Sequence, residues 1–223
     1  MTRVYCCDVG GPSSLGWARM SIADLGRPDV EGGRSMRGLV TAITADLEAD
    51  VPVALGFECP LFMPIPSEAT LLSCGREHEG NRSMFAPAGG YVALLGLHLA
   101  AWSLSQLRRP GVGICLDAGN WSCQGTASIL IWEAFVSGPA HTRDGDHRRD
   151  AATAVIEFAR RYGMGPPFAS DVSLRANCAS LSLAACAALW AGLSADLALL
   201  RSSVFVVRPM TAYAGAIREI DPV

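Results

Sequence analysis

The chain contains no lysine, because all 18 of its basic residues are arginines. Chemistry that needs a lysine side chain is therefore excluded, including the lysine of a P-loop, a Schiff base and a Ser–Lys catalytic pair. Adjacent arginines occur only at Arg108-Arg109, Arg148-Arg149 and Arg160-Arg161, and the net charge is −3. This distribution gives no support for non-specific nucleic-acid binding through a basic surface, although a local basic groove is compatible with it.

The sequence also lacks the cysteine spacing of a zinc site or a disulfide scaffold. None of the eight cysteines forms a C-x-x-C pair, and the four histidines are scattered, so we expect no zinc. Cys6, Cys7 and Cys59 lie in apolar runs, where a free cysteine packs as a small hydrophobic residue. The first eight residues do not resemble a signal peptide. We therefore expect free thiols and a cytoplasmic location.

Charge is sparse, at 17% of residues against 50% hydrophobic, and two stretches, 83–107 and 176–195, contain no acidic or basic residue. Both are diluted by glycine, serine or asparagine, whereas a membrane-spanning helix needs about 20 predominantly apolar residues. We therefore predict buried helices there and no membrane partner. At 223 residues, the chain is long enough for one domain with its own core, and we expect a monomer or a homodimer.

The hydrophobic pattern predicts an α/β fold with one mixed sheet flanked by helices. Two strand-like segments, 3–8 and 15–22, are joined by a Gly/Pro/Ser turn, which is typical of a hairpin. Residues 24–34 are predicted to be a loop, and the single domain, 1–223, carries a loop-rich insertion around 64–90. Apolar runs predict further strands at 51–59, 111–116, 128–136 and 203–208, and helical spacing predicts helices at 35–48, 90–107, 150–162 and 176–193.

Three carboxylates stand out because each lies in or directly after an apolar predicted strand. They are Asp8, Glu58 and Glu133. Burying an isolated carboxylate costs several kcal/mol unless it is paired or bound to a metal. Since the strands of one sheet can place such residues at a common edge, we predict that the three converge. The alternative is that each carboxylate is hydrogen-bonded separately to a nearby loop.

Convergent carboxylates repel one another unless a cation lies between them. Oxygen-only ligands suit Mg²⁺ or Mn²⁺. Two such ions about 3.5–4 Å apart activate water and stabilise the leaving oxygen of a phosphodiester. The sequence therefore predicts a magnesium or manganese site with Asp8, Glu58 and Glu133 as its ligands.

Three segments resemble a known family in the order in which they occur. The opening CDVGGPSSLGWA resembles the first hairpin of ribonuclease H-like proteins, in which an Asp ends the first strand. ALGFECPLFMPIP resembles the segment in which an acidic residue is followed by Pro and Leu, and ILIWEAF resembles the strand with the third carboxylate. The whole chain thus resembles a bacterial and archaeal group of uncharacterised predicted nucleases with that fold. The resemblance implies that Asp8, Glu58 and Glu133 are the catalytic, metal-binding carboxylates.

The sequence departs from this group at the final helix, where the group usually has a further Asp before an Ala. The corresponding stretch, NCASLS at 177–182, has none. Asp150, which precedes Ala151 at the start of the preceding helix, is a candidate substitute. It can equally be an acid that interacts with the helix dipole. Asp117, in the turn-like DAGN, is a weaker candidate.

Two polar segments could contact substrate. Arg76, His78 and Arg82 belong to a dense polar cluster near Glu58, and Arg148 lies in a polar loop before Asp150. Arginine is well suited to bind phosphate through paired hydrogen bonds. Both segments can instead be solvated loops.

Three functions remain open from the sequence. The first is a metal-dependent nuclease that acts on nucleic acid. The second is a non-catalytic binding or scaffold protein of the same fold. The third, a small actin-like phosphotransferase that would use the turn at 10–14 for phosphate, is disfavoured by the length of 223 residues.

Overall fold

A computed structural model describes residues 1–11, 14–80, 85–121, 128–142 and 145–221. The strands of these ranges are β1 (Arg3–Asp8), β2 (Gly16–Ser21), β3 (Val30–Gly33), β4 (Val53–Phe57), β5 (Phe62–Pro66), β6 (Gly113–Cys115), β7 (Ser128–Ala134), β8 (Cys178–Ser182), β9 (Phe205–Val207) and β10 (Ile217–Glu219). The α-helices are α1 (Met36–Glu48), α2 (Pro87–Gln106), α3 (His147–Gly163) and α4 (Leu183–Trp190).

The predicted mixed sheet is confirmed. Seven strands follow the order β10-β3-β2-β1-β4-β7-β6, and β9 pairs with β7 to complete an eight-stranded sheet. The pairs β1–β2 and β2–β3 are antiparallel, whereas β4 is parallel to both β1 and β7. A second, two-stranded sheet joins β5 and β8. The predicted hairpin is therefore the β1–β2 pair, and the parallel strands lie on the other side of β1.

Helices cover both faces of the large sheet, which explains why β1, β4 and β7 are apolar along almost their whole length. One core joins alternate residues of these strands to α1, α2 and α4. The other core joins the remaining strand residues to α3, with Trp132 and Phe158 at its centre. Strand residues of odd and even position therefore face different helices.

Two sequence predictions of local structure are wrong. The predicted loop at 24–34 contains β3, and β10 pairs with that strand as the edge of the sheet. The predicted helix at 176–193 is divided, because its first part is β8 and only its second part is α4. In both cases, pairing with a distant strand overrides a local preference. The stretch predicted as a loop-rich insertion, around 64–90, overlaps β5 at its start and α2 at its end.

Among the described residues, one helix meets the length and composition of a membrane span. It is Ala88–Gln106, with a mean hydropathy of 1.2 in its most apolar window and 28% of that window buried. A single helix of this kind is weak support for a membrane protein, because core helices of other proteins pass the same test.

Candidate metal centre

Asp8 and Glu58 are placed side by side by the register of β1 and β4. Cys7 of β1 lies opposite Phe57 of β4, and the Glu58 amide donates to the Cys7 carbonyl at 2.8 Å. The next residue of each strand is therefore Asp8 or Glu58. Because successive side chains of a strand point to opposite faces, both carboxylates are directed to the face that α3 covers.

Helix α3 brings a third carboxylate to this point. The helix begins very close to β2. If Gly16 carried a Cβ atom, that atom would lie only 2.3 Å from the backbone nitrogen of Arg148. Asp146 caps the helix by accepting a hydrogen bond from the Arg148 amide. Asp150 then lies one turn inside the helix, and its side chain meets those of Asp8 and Glu58. One ligand oxygen from each of the three lies within 4.8 Å of the other two.

Two histidines contact two of the three carboxylates, Asp8 and Asp150. His147 Nδ1 lies 2.6 Å from Asp8 Oδ2, and His141 Nδ1 lies 2.6 Å from Asp150 Oδ2. The other oxygen of Asp150 accepts hydrogen bonds from the amide and the hydroxyl of Thr142, at 2.8 and 2.9 Å. Hydrogen bonds of this kind fix the orientation of carboxylates around a metal. We call Asp8, Glu58 and Asp150 the acidic trio.

Burial makes the trio electrostatically unfavourable as a set of three anions. Asp8 is 7% exposed and Asp150 is 1% exposed. Burial is the main reason that the pKa of Asp8 rises from 3.8 to about 6, and the Asp150 charge raises it further. The contact with His147 and a hydrogen bond with Glu58 lower the pKa of Asp8. A bound cation would remove this penalty.

The raised pKa predicts how stability changes with pH in the absence of metal. Between pH 4 and 6, folded Asp8 keeps a proton that the unfolded chain has released, so the free energy of unfolding falls as pH rises through this window. A shift from 3.8 to about 6 corresponds to roughly 3 kcal/mol. Urea unfolding in EDTA at several pH values measures this change.

The matched variant for this measurement is Asp8→Asn, which cannot titrate but leaves Glu58, Asp150 and His147 in place. Groups that do not interact with Asp8 contribute equally to both proteins. The difference between wild type and variant should therefore report Asp8 together with its interactions with His147, Asp150 and Glu58, with the variant gaining relative stability from pH 4 to 6. Parallel pH profiles of the two proteins would show that Asp8 titrates normally.

Glu133, the third carboxylate predicted from the sequence, does not belong to the trio. It lies opposite Phe57 in the β4–β7 register, so Glu133 is directed to the same face as Cys7 and Phe57. The residue of β7 that follows it, Ala134, occupies the position corresponding to Glu58. Glu133 Oε2 accepts instead from the Leu61 amide at 2.9 Å. The alternation of side chains thus directs Glu133 to the face of the sheet opposite to the one that Asp8 and Glu58 face.

Arg76, predicted to contact substrate, is the partner of Glu133. Both terminal nitrogens of its guanidinium donate to the Glu133 carboxylate at 2.7 Å, and Nε donates to Glu79 at 2.9 Å. The side chains of all three residues are 1% exposed. Although burial alone would lower it, the pKa of Arg76 is raised by Glu133 and Glu79. Arg76 is thus a structural cation, because its hydrogen bonds are directed into the protein.

The other predicted substrate contacts have different positions. His78 is exposed, with φ of 68°, and its carbonyl accepts from Arg208 at 2.6 Å. Arg148 lies beside the trio on α3, but its guanidinium is paired with Asp146 and Glu219. Arg82 lies outside the described residues. The described part of the 10–14 turn is closed on itself, because the Gly11 amide donates to Ser14 Oγ at 3.0 Å.

Cysteines near the trio are not poised for catalysis. Burial raises the pKa of the Cys6, Cys7 and Cys59 thiols, and nearby carboxylates raise it further. A thiol needs a lowered pKa to act as a nucleophile or metal ligand near neutral pH. These three cysteines therefore pack as hydrophobic residues, as their apolar sequence context indicates.

Sequence reasoning missed His141 and Thr142, which position Asp150. The only signal for them was their place in the polar segment before α3, because neither belongs to a motif. In the sequence, His147 stands out only as the neighbour of Arg148 in the polar loop that could contact substrate. Its contact with Asp8 spans 139 positions of the chain, so no local pattern could reveal it.

Comparison of the chain with protein-family models, with curated proteins and with solved structures finds no match.

Proposed function

We propose that this protein is a divalent-metal-dependent phosphodiesterase that acts on nucleic acid, with Asp8, Glu58 and Asp150 as its metal ligands. The observation that supports this most directly is the meeting of three ligand oxygens within 4.8 Å. Each comes from a different element: the end of β1, the residue after β4, and the first part of α3. Asp150 replaces Glu133 in the ligand set that the sequence predicts.

The trio fits a hard cation of the magnesium type. Magnesium and calcium bind oxygen at about 2.0–2.6 Å, so two oxygens on one ion lie at most roughly 4–5 Å apart. Separations of at most 4.8 Å between the three oxygens are compatible with one ion that draws the side chains slightly together. All the ligand atoms are carboxylate oxygens, which favours magnesium or manganese over zinc.

The bound cation would supply Lewis-acid activation of water and of the phosphate group. The protein's own residues do the positioning. His147 and His141 hold Asp8 and Asp150, while the backbone bond from Glu58 to Cys7 holds the third carboxylate. His147 is itself partly exposed, with 29% of its side chain accessible. We assign to it proton exchange between solvent and the site.

The ribonuclease H-like fold belongs to the same proposal. It is supported by the mixed α/β sheet and by the opening antiparallel hairpin, whose first strand ends in Asp8. It is also supported by Glu58 next to this strand end. The further Asp that the group usually has on its final helix is absent here, and Asp150 on α3 is its candidate substitute.

A titration with Mn²⁺ tests the metal site. Binding is expected to raise the free energy of unfolding by about 2.7 kcal/mol when the free ion is at a hundredfold excess over its Kd. Isothermal titration calorimetry gives the Kd, and urea unfolding gives the stabilisation. Hydrolysis of labelled single-stranded and duplex oligonucleotides should require Mg²⁺ or Mn²⁺ and stop in EDTA. Absence of Mn²⁺ binding would overturn the proposal.

A non-catalytic binding protein is the second candidate, and one observation favours it. The histidine contacts of 2.6 Å already provide Asp8 and Asp150 with partners inside the protein. A protein of this kind would bind oligonucleotides in the presence of Mn²⁺ but leave them intact. The same cleavage assay therefore separates the two functions.

A further inference from the structure

A cavity of about 350 Å³ adjoins the acidic trio. Glu58 lines it, together with the two residues that follow in the chain. The other walls are the first turn of α2, with Ala88 and Gly89, and the segment 134–136 at the end of β7. Because Glu58 lines the cavity and is also a member of the trio, a molecule in this cavity would lie directly beside a phosphate bound at the trio.

The described walls of the cavity offer a phosphate no basic side chain that is not already paired. Arg76 is the one basic side chain among the described residues that line the cavity. Its guanidinium is 1% exposed and paired with Glu133 and Glu79. The other charged side chain among the described lining residues is Glu58, a carboxylate of the trio. The described walls therefore suit an uncharged group with apolar faces.

Phe135 provides a planar wall for such a group. Its backbone amide donates to the Val207 carbonyl at 2.9 Å, so the position after β7 is fixed. The Arg208 guanidinium lies over the Phe135 ring, 4.2 Å from its centroid, and helps to hold the ring. Aromatic side chains held in this way are the usual stacking platforms for unpaired bases.

We infer that the cavity binds one unpaired nucleobase of the substrate, next to the phosphate at the trio. This inference rests on the proposed function and extends it to a substrate class, since a base in a duplex is paired and stacked and cannot enter a cavity. A volume of about 350 Å³ suits a single ring system rather than a longer segment. The preferred substrate is therefore single-stranded nucleic acid or a frayed end.

Binding of adenosine 5′-monophosphate and of ribose 5-phosphate tests the inference, because the two ligands differ only in the base. Isothermal titration calorimetry in Mn²⁺ should show that adenosine 5′-monophosphate binds at least about tenfold more tightly, which is the scale of one stacked base. In the variant Ala88→Phe, a large side chain occupies the exposed rim of the cavity. The variant should lose this tenfold difference and keep its affinity for ribose 5-phosphate.

Gln106→Phe is the matched control, because it adds the same side chain to the exposed C-terminal end of the same helix. It should bind both ligands as the wild type does. A second variant, Phe135→Leu, removes the aromatic wall without filling the cavity and should also lose the preference. Unchanged Mn²⁺ affinity in all three variants verifies that the trio and the fold are intact.

The outcomes separate this inference from the proposed function. Equal affinity of the wild type for both ligands, or an Ala88→Phe variant that keeps the preference, would overturn the base cavity while Mn²⁺ binding still supports the metal site. If Mn²⁺ does not bind, the proposed function fails. Adenosine 5′-monophosphate binding that Ala88→Phe abolishes would then still support the cavity, and its absence would overturn both.

Discussion

Asp8→Asn and Asp150→Asn should each lower metal-dependent hydrolysis by at least roughly a hundredfold, because each replaces a charged ligand of a hard cation by a dipole. Mn²⁺ affinity, measured by calorimetry, should fall in parallel. Stability in EDTA at pH 7 should hold or rise in Asp8→Asn, because burial raises the pKa of Asp8 to about 6 and the amide removes that charge.

Two further variants make this result specific. Asp117→Asn is the control, because Asp117 is exposed and its oxygen accepts from the Gly119 amide at 2.8 Å, which an Asn oxygen also does. It should retain full activity and Mn²⁺ affinity. Glu133→Gln should retain the Mn²⁺ affinity of the folded protein, because Glu133 is paired with Arg76 and is not one of the three carboxylates whose oxygens meet. Loss of Mn²⁺ binding in Glu133→Gln with none in Asp150→Asn would restore the ligand set predicted from the sequence.

Arg76→Met should destabilise the protein by about 3–5 kcal/mol, because it leaves two buried carboxylates without their cation. Glu79 and Glu133 both have side chains that are 1% exposed. Urea unfolding at pH 7 measures the loss. The same contacts hold the segment after Glu58, since Glu133 accepts from Leu61 and Arg76 donates to the Phe62 carbonyl.

The control for this prediction is Arg160→Met, which breaks an arginine–glutamate pair on the surface. Arg160 lies 2.7 Å from Glu157, but half of its side chain is exposed. Exposed pairs of this kind contribute about 0–1 kcal/mol. Replacing Arg76, Glu79 and Glu133 together by apolar residues should recover much of the loss. Equal effects of Arg76→Met and Arg160→Met would contradict the buried network.

The sequence predicts the sheet and most helices well, because their signals are local. Strands β1, β4 and β7 are apolar along almost their whole length, which is typical of a sheet that is covered on both faces. Helix α1 shows helical spacing, and Ser35 caps it as its residue type indicates. The edge strands β3 and β10 are short and lie in polar surroundings, so only their pairing reveals them. Likewise, β8 is a strand because it pairs with β5.

For the candidate site, the sequence alone determined that Asp8 and Glu58 follow buried strands and that a carboxylate in β7 needs a partner. Only the tertiary structure decided which acids meet. The register of β4 with β7 places Glu133 opposite Phe57 and thus on the face away from the trio, where Arg76 neutralises it. The packing of α3 on β1 and β2 brings in Asp150 instead. Because side chains alternate along a strand, a difference of one position reverses the direction of a side chain. Helix packing, in turn, brings together residues that are far apart in sequence. Neither the exclusion of Glu133 nor the inclusion of Asp150 is therefore encoded in a local pattern.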